Sequence, residues 1–324
     1  MSAKSLHHVS NGDGWHLALR RIRPKTLAPN RRPVVIVPGY GMNSFIFGFH
    51  PNGSSLEDYL ADQGLEVWAA DLRAQGETIR RGGSLRFGLA DLALTDLRCA
   101  LAYVAAATAT GQRRSDILGA SLGATLMYAL AACGAPHMGS LVSIGGPLRW
   151  VEVHPLLHAL AQSPTAIGLL RFPDTRPFAE RALPVLLRVP RLLEVYLHPS
   201  IVDMTAMSTM PRTVETPNRH VNREIAQWIC DQDLVLRGLN VTRALGRVVH
   251  PLLCVVANAD GIVPAATALS GYDAIGSLYK DVLRVGDAAT PFAHADLFVA
   301  SGAHERVFDP ISRWLAEMAK VEVD

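Results

Sequence analysis

The stretch between Ile117 and Leu148 constrains the fold of this 324-residue chain most strongly, because it contains no Asp, Glu, Lys or Arg. Its length alone would suit a membrane span. Glycine or proline interrupts it, however, at positions 119, 123, 134, 136, 139, 145, 146 and 147. Such residues divide an apolar run into strand, turn, helix, turn and strand. A central parallel sheet that is covered on both faces requires such an apolar unit, so we expect a buried core here.

The rest of the chain alternates between strand-like and helix-like segments. Apolar runs such as VVIV (34–37), VWAAD (67–71) and LLCVVA (252–257) are typical of buried strands, and segments with helical spacing separate them. This alternation predicts an α/β fold with a mostly parallel central sheet and helices on both faces. Near the N-terminus, two short runs on either side of the turn NGDG predict a β-hairpin.

The alternation lapses after Pro147, in a region that is rich in leucine and proline and predicts short helices. It returns with the apolar run that follows His250. The sequence therefore predicts a core built from residues 1–147 and 248–324, interrupted by a helical insertion at residues 148–247.

Composition excludes several classes of function. The net charge is +2 and the basic clusters are short and scattered, so no nucleic-acid-binding face is expected. The four cysteines show no paired spacing, which predicts reduced thiols in a cytoplasmic protein and no zinc site. The first residues lack the apolar segment of a secretory signal, so we expect none. No dinucleotide fingerprint and no metal-binding motif is present, so no cofactor is expected.

A serine stands between two glycines in GASLG (119–123), where a predicted strand meets a predicted helix. The pattern G-x-S-x-G is typical of a sharp turn that strains the serine backbone and exposes its hydroxyl. The following helix directs the positive end of its dipole towards the same point. A serine hydroxyl attacks only when a base takes its proton, so Ser121 is a candidate nucleophile that requires a partner.

A candidate base and a candidate acid follow the last two predicted strands. His294 comes after the strand KDVLRV, and Asp260 comes shortly after LLCVVA, at the sheet edge where open α/β sheets bind ligands. A carboxylate can orient an imidazole and stabilise its charge. His304 and Asp287 are the alternative candidates for the two roles.

Two backbone N–H groups are candidates for an oxyanion hole, which stabilises the charge that develops on a carbonyl oxygen under attack. Leu122 follows the candidate nucleophile directly and supplies one N–H group. The turn VIVPGYG follows the first predicted parallel strand, and Tyr40 within it is the candidate for the second.

These motifs together resemble the α/β-hydrolase superfamily over roughly residues 34–320. The chain order Ser121, Asp260, His294 is that of the superfamily's catalytic triad. Within the superfamily, the segments VVIVPGYGMNSF, VWAADLRAQGET and HADLFV resemble acid-lipase-like and polyhydroxyalkanoate-synthase-like proteins. The resemblance implies that residues 148–247 form a cap domain over the active site.

The chain departs from these relatives at three positions. The synthases usually carry cysteine where this chain has Ser121, which favours hydrolysis over polymerisation. Ala293 replaces the usual glycine before the histidine, and Pro38 replaces the histidine of the common His-Gly turn. The change at Ala293 is small and leaves the assignment of His294 standing. The change at Pro38 leaves the oxyanion hole in place, because that hole uses backbone N–H groups.

Apolar side chains near the oxyanion turn and in the insertion predict an apolar acyl substrate with a neutral leaving group. The candidate substrate-binding residues are Met42, Phe45, Trp150, Met207 and Trp228, with the leucines of the insertion and Phe172, Phe178, Tyr196, Met204 and Met210 as further lining. Methionine suits adaptable apolar binding surfaces, although core packing is the alternative role for each of these residues.

Three functions fit these motifs. The first is hydrolysis of a carboxylic ester or related acyl bond through an acyl-enzyme on Ser121. The second is transfer of the same acyl group to an alcohol or a thiol. The third is ligand binding without turnover. The expected partner in each case is a small apolar molecule, with neither nucleic acid nor a membrane-spanning segment involved.

Overall fold

The computed structural model describes residues 2–169, 175–177, 180–181 and 193–321. Its main sheet has the strand order β1-β2-β4-β3-β6-β7-β10-β11, with β5 paired to β2. The strands are β1 (Ala3–Ser10), β2 (Trp15–Arg23), β3 (Val34–Val37), β4 (Val67–Asp71), β5 (Ile79–Arg80), β6 (Ser115–Ala120), β7 (Met138–Ile144), β10 (Leu252–Ala257) and β11 (Lys280–Val285). A separate two-stranded ribbon joins β8 (Val235–Leu236) and β9 (Leu239–Asn240).

The sheet is parallel from β4 to β11 and antiparallel at the β1–β2 end. Strands β1 and β2 form the predicted hairpin, and β2 also pairs antiparallel with β4. The pairs β4–β3, β3–β6, β6–β7, β7–β10 and β10–β11 are all parallel. The carboxyl ends of β3, β6, β7, β10 and β11 therefore meet at one edge, which is where ligands bind in such sheets.

Apolar cores cover both faces of the sheet, as the continuous apolar runs predict. Every residue of β3 is fully buried, with Val35 packed into one core and Ile36 into the other. The charge-free stretch forms β6, a helix and β7, and so it belongs to this core. No helix in the described part of the chain is long and apolar enough to cross a membrane.

Helices separate the strands of the sheet, as the alternation of segments predicts. They are α1 (Leu56–Asp62), α2 (Leu89–Asp91), α3 (Arg98–Ala107), α4 (Leu122–Ala132) and the helices Ala265–Ala274, Asp296–Val299 and Asp309–Met318. Two π-helical segments, Leu92–Leu97 and His304–Phe308, lie directly before α3 and before the last of these helices. The Ser55 hydroxyl caps α1 by accepting from the Asp58 N–H group.

Between β7 and β10 the chain forms short helices, as its composition predicts. They are α5 (Pro155–Ala161), α6 (Pro164–Leu169), a 3₁₀ helix (Met204–Thr213), and the helices Arg219–Asp231 and Val241–Leu245. Phe172 and Phe178, which the sequence suggests as lining residues, lie outside the described residues. Met42 forms a β-bridge with Val214, so this region touches the turn after β3.

Candidate active site

Ser121 occupies a strained turn between β6 and α4. Its backbone angles are φ 51° and ψ −121°, a positive φ that non-glycine residues rarely adopt. The Ser121 N–H group donates to the carbonyl oxygen of Ile144, 2.9 Å away, which fixes the turn to the end of β7. Strain of this kind persists only where the surroundings enforce it.

The two flanking glycines are required by space. A Cβ atom on Gly119 would lie 2.4 Å from the backbone of Ala124, and one on Gly123 would lie 2.3 Å from the carbonyl oxygen of Val37. Both contacts are with backbone that cannot move aside. The absence of a side chain therefore lets β6, α4 and β3 approach closely enough to form the turn.

Asp260 and His294 form a buried hydrogen-bonded pair. The imidazole Nδ1 of His294 lies 2.6 Å from Oδ2 of Asp260. The other carboxylate oxygen, Oδ1, accepts the N–H groups of Ile262 at 2.9 Å and Val263 at 2.8 Å. These bonds orient the carboxylate and leave Oδ2 to the imidazole, so Nδ1 is assigned the proton and Nε2 is free to act as a base.

Hydrogen bonds between the two loops hold this pair together. The N–H group of Phe292 donates to Oδ1 of Asn258, and the N–H group of Ala259 donates to the carbonyl oxygen of Phe292, both at 2.9 Å. Gly145, at the end of β7, adopts φ +56°, and a Cβ atom there would lie 3.1 Å from the His294 ring. The imidazole therefore sits at the shared edge of the parallel strands.

Ser121 and His294 line the same cavity, which has a volume of about 460 Å³. Most of its other lining is apolar and includes Met42 and Met207. Further lining comes from Leu157, Leu193, Tyr196, Leu197, Met204, Met210 and Ile262. Among the described residues, no Asp, Glu, Lys or Arg side chain lines this space.

Tyr196 packs beside the pair of His294 and Asp260, with its ring centroid 6.1 Å from that of His294. Burial raises the pKa of its phenol to about 12, and the nearby carboxylates of Asp260 and Asp296 act in the same direction. The phenol therefore stays neutral at the pH values where an imidazole can act as a base.

The turn after β3 lies against Ser121. A Cβ atom on Gly39 would lie 3.0 Å from Cβ of Ser121. Two main-chain bonds connect the same turn to the region between β7 and β10. The Asn43 N–H group donates to the carbonyl oxygen of Thr213 at 2.9 Å, and the Glu215 N–H group donates to the carbonyl oxygen of Gly41 at 2.8 Å.

Both candidate oxyanion-hole residues flank this point. The Tyr40 hydroxyl donates to Oδ1 of Asn222, and burial raises the pKa of this phenol. Leu122 is the first residue of α4, so its N–H group has no partner within the helix. These positions leave both backbone N–H groups as candidates for binding an oxyanion beside Ser121.

The alternative acid and base lie elsewhere in the molecule. Asp287 is exposed and pairs with Arg306 at 3.0 Å. The His304 Nε2 atom lies 2.7 Å from the carbonyl oxygen of Ser54, and its ring packs 4.4 Å from that of His50. Neither side chain lines the cavity beside Ser121.

Three of the candidate substrate-binding residues also lie away from this cavity. Phe45 sits in the short 3₁₀ helix Ser44–Gly48, stacks on Phe49 and lies under the Arg212 guanidinium at 4.2 Å. Trp150 and Trp228 pack edge to face with centroids 5.5 Å apart, inside an apolar core. Met42 and Met207 are the two that line the cavity.

Sequence reasoning missed Ile262 as a lining residue. Ile262 follows Asp260 by two positions, so proximity to a residue already selected was an available signal. The leucines of the insertion are indicated by the sequence only as a group, and among the described ones Leu157, Leu193 and Leu197 line the cavity.

The sheet order, the strained serine turn and the acid–histidine pair at the strand ends define an α/β-hydrolase fold. The sequence matches the model of the alpha/beta hydrolase family over residues 34–320, and the chain belongs to that family. A search among curated proteins found no match.

Solved structures share the fold at low sequence identity. A soluble variant of monoglyceride lipase from Saccharomyces cerevisiae, solved with a substrate analogue, is 15% identical with a TM-score of 0.68, and the match covers 99% of this chain and 97% of that one. The Paleococcus ferrophilus monoacylglycerol lipase is 15% identical, with a TM-score of 0.61 and coverage of 93% and 99%. A Thermogutta terrifontis esterase is 16% identical, with a TM-score of 0.61 and coverage of 99% and 100%. At these identities the likeness establishes the fold alone.

Proposed function

We propose that the protein is a serine hydrolase that cleaves a carboxylic ester or a related acyl bond of an apolar substrate. The observation that carries this proposal is the buried pair of His294 and Asp260, which opens onto the same cavity as the strained Ser121. A hydroxyl, an imidazole and an oriented carboxylate at one point are the groups that acyl transfer to serine requires.

Each group has one role in the proposed reaction. His294 Nε2 takes the Ser121 proton as the hydroxyl attacks the carbonyl carbon, and it then gives that proton to the leaving alcohol. Asp260 holds the imidazole in the required tautomer and stabilises its positive charge. The N–H groups of Tyr40 and Leu122 bind the oxyanion. Water, activated by His294, then releases the acid and restores Ser121.

The cavity supports an apolar acyl group and a neutral leaving group. A charged substrate would lose its hydration without gaining an ion pair, because the described lining contains no Asp, Glu, Lys or Arg side chain. Methionines at positions 42, 204, 207 and 210 give the wall polarisable side chains that adapt to a flexible chain.

We also propose that residues 148–247 act as a cap over this site. Lining residues at positions 157 and 193–214 come from this region, whereas Ser121 and His294 come from the core. The cap therefore supplies much of the wall that an acyl chain would contact.

All four cysteines are free, which supports the expectation of a reducing, cytoplasmic setting.

Turnover of p-nitrophenyl esters tests the proposal. We expect the wild-type protein to hydrolyse octanoate and laurate esters with a higher kcat/KM than the acetate ester, and Ser121→Ala to be inactive on all of them. Product analysis in the presence of an added alcohol separates hydrolysis from acyl transfer. Equal turnover by Ser121→Ala, or a preference for acetate, would contradict the proposed reaction or the proposed substrate respectively.

A further inference from the structure

A short strap of the inserted region, residues 195–198, crosses both loops that carry the catalytic pair. The N–H group of Gly261 donates to the carbonyl oxygen of Val195 at 3.1 Å, and the N–H group of Ala295 donates to that of Tyr196 at 2.8 Å. The first contact is close, because a Cβ atom on Gly261 would lie 2.7 Å from the Val195 side chain. The strap is thus bonded to the residues that follow Asp260 and His294.

A second buried carboxylate joins the strap to the histidine loop. Oδ2 of Asp296 accepts the N–H group of Ala293 at 2.7 Å and that of His198 at 3.0 Å. Its Oδ1 atom lies 3.1 Å from the same His198 nitrogen. Asp296 is fully buried, and Ala293 is the residue directly before His294. One side chain therefore bonds to the strap and to the backbone of the histidine loop.

Asp296 does not take the place of the catalytic acid. The Nδ1 atom of the imidazole is bonded to Asp260, and the oxygens of Asp296 are bonded to backbone N–H groups. Burying a carboxylate is costly, and here the backbone N–H groups of Ala293 and His198 offset part of that cost. The same N–H groups are thereby held at fixed distances from one another, since a single planar group accepts both.

We propose that Asp296 is a positioning residue that fixes the His294 loop to the strap, so that the imidazole stays aligned with Ser121 only while the inserted region is seated on the core. The inference rests on the proposed function, in which His294 is the base. It adds that the seating of the cap and the alignment of the base depend on one carboxylate. A displacement of about 1 Å at a catalytic group can lower a rate by roughly a hundredfold.

Two substitutions of Asp296 remove its hydrogen-bond-accepting oxygens to different extents. Asp296→Ala removes both oxygens, whereas Asp296→Asn keeps the shape and one acceptor oxygen. We expect kcat to fall by roughly a hundredfold in D296A and by about tenfold in D296N. KM should change by less than kcat in both variants, because Asp296 itself does not line the cavity. The rate at which a fluorophosphonate labels Ser121 should fall in parallel with kcat.

Asp116→Asn is the matched control. Asp116 is equally buried and accepts the N–H group of Ser140 at 2.8 Å, but it lies at the opposite end of β6 from Ser121. We expect D116N to lower thermal stability while kcat per folded molecule stays at the wild-type value. A merely structural role for Asp296 would give the same pattern in D296N and D296A.

Hydrogen–deuterium exchange adds a readout that does not depend on activity. In D296N, peptides that contain residues 195–198 and 293–296 should exchange faster than in the wild type, and peptides from β6 should not. D296N and D296A proteins that fold and keep wild-type kcat and labelling rates would overturn the inference. Absence of labelling in the wild-type protein would instead refute the proposed function, and the positioning role with it.

Discussion

The Nδ1 atom of His294 lies 2.6 Å from Oδ2 of Asp260, and the two side chains form an ion pair when both ring nitrogens of the imidazole carry a proton. Loops after β10 and β11 supply the two residues, and the carboxylate is fixed by the N–H groups of Ile262 and Val263. The pair is buried, so solvent screens it little. It is therefore suited to hold one tautomer and to stabilise the charged ring.

Replacing Asp260 with asparagine should abolish most of the activity. An amide in this place favours the wrong imidazole tautomer and no longer stabilises the positive charge, so we expect kcat for a neutral ester to fall by roughly 10³–10⁴-fold. Asp287→Asn is the control, because that exposed carboxylate pairs with Arg306 away from the cavity. Steady-state kinetics of the two variants check this, and comparable losses in both would contradict the assignment of the acid.

Gly123→Ala should destabilise the fold. The added methyl group would lie 2.3 Å from the carbonyl oxygen of Val37, and overpacking against backbone costs on the order of 3 kcal/mol. Gly302→Ala is the matched control, since its nearest new contact is 3.6 Å away and its effect should stay within about 0.5 kcal/mol. Urea unfolding measures both. Equal midpoints for the two variants would show that the turn after β6 tolerates a side chain.

Met207→Trp should shift the preference towards short acyl chains. Met207 is buried and lines the cavity, so a larger ring there shortens the space that a chain can occupy. We expect the ratio of kcat/KM for laurate to that for acetate to fall by about tenfold, a loss of roughly 1.4 kcal/mol of transition-state binding. This ratio is independent of how much of the variant folds.

Met318→Trp provides the control for chain length. Met318 is partly buried against the same core, but it does not line the cavity. The laurate-to-acetate ratio should therefore stay at the wild-type value. An unchanged ratio in Met207→Trp as well would mean that the acyl chain does not occupy this cavity.

The Asp296 carboxyl should make stability depend on pH. Burial raises its pKa from 3.8 to about 7, and the charge of Asp260 acts in the same direction, against the N–H groups of Ala293 and His198. Between those two values the folded state binds more protons than the unfolded state. Stability from this group is therefore present at low pH and is lost as the pH rises towards 7.

Asp296→Asn removes this dependence. The free energy of unfolding of the wild type, relative to that of D296N, should fall by roughly 2 kcal/mol between about pH 5 and about pH 7. The other titratable groups around Asp296, namely Asp260, His294, His198 and Tyr196, remain in both proteins and largely cancel in the difference. Urea unfolding at the two pH values measures it, and a constant or rising difference would contradict the expected pKa.

Local sequence patterns sufficed to predict the sheet and the serine turn. The residues of segment 119–123 themselves allow the turn, because each flanking glycine avoids a clash with the backbone of a neighbouring element. The apolar runs of β3, β6, β7 and β10 read directly as buried parallel strands. Asp260 and His294 could be predicted from the sequence, because residues that follow parallel strands gather at one edge of the sheet.

The lining of the cavity depends on contacts that no local pattern encodes. Phe45 is close to the oxyanion turn in sequence, but its short helix turns the ring onto Phe49 and under Arg212. Trp150 and Trp228 pack against each other in an apolar core instead of lining the cavity beside Ser121. Asp296 and His198 are 98 positions apart, so their bond follows only from where the inserted region sits on the core.

The measurement that tests the central claim most directly is covalent labelling by a fluorophosphonate, read by mass spectrometry of intact protein and of peptides. The wild-type protein should gain one adduct, located on Ser121, and His294→Ala should label far more slowly. Ser121→Ala should gain no adduct. A wild-type protein that stays unlabelled, or an adduct on a different serine, would contradict the account of Ser121, His294 and Asp260 as one catalytic unit.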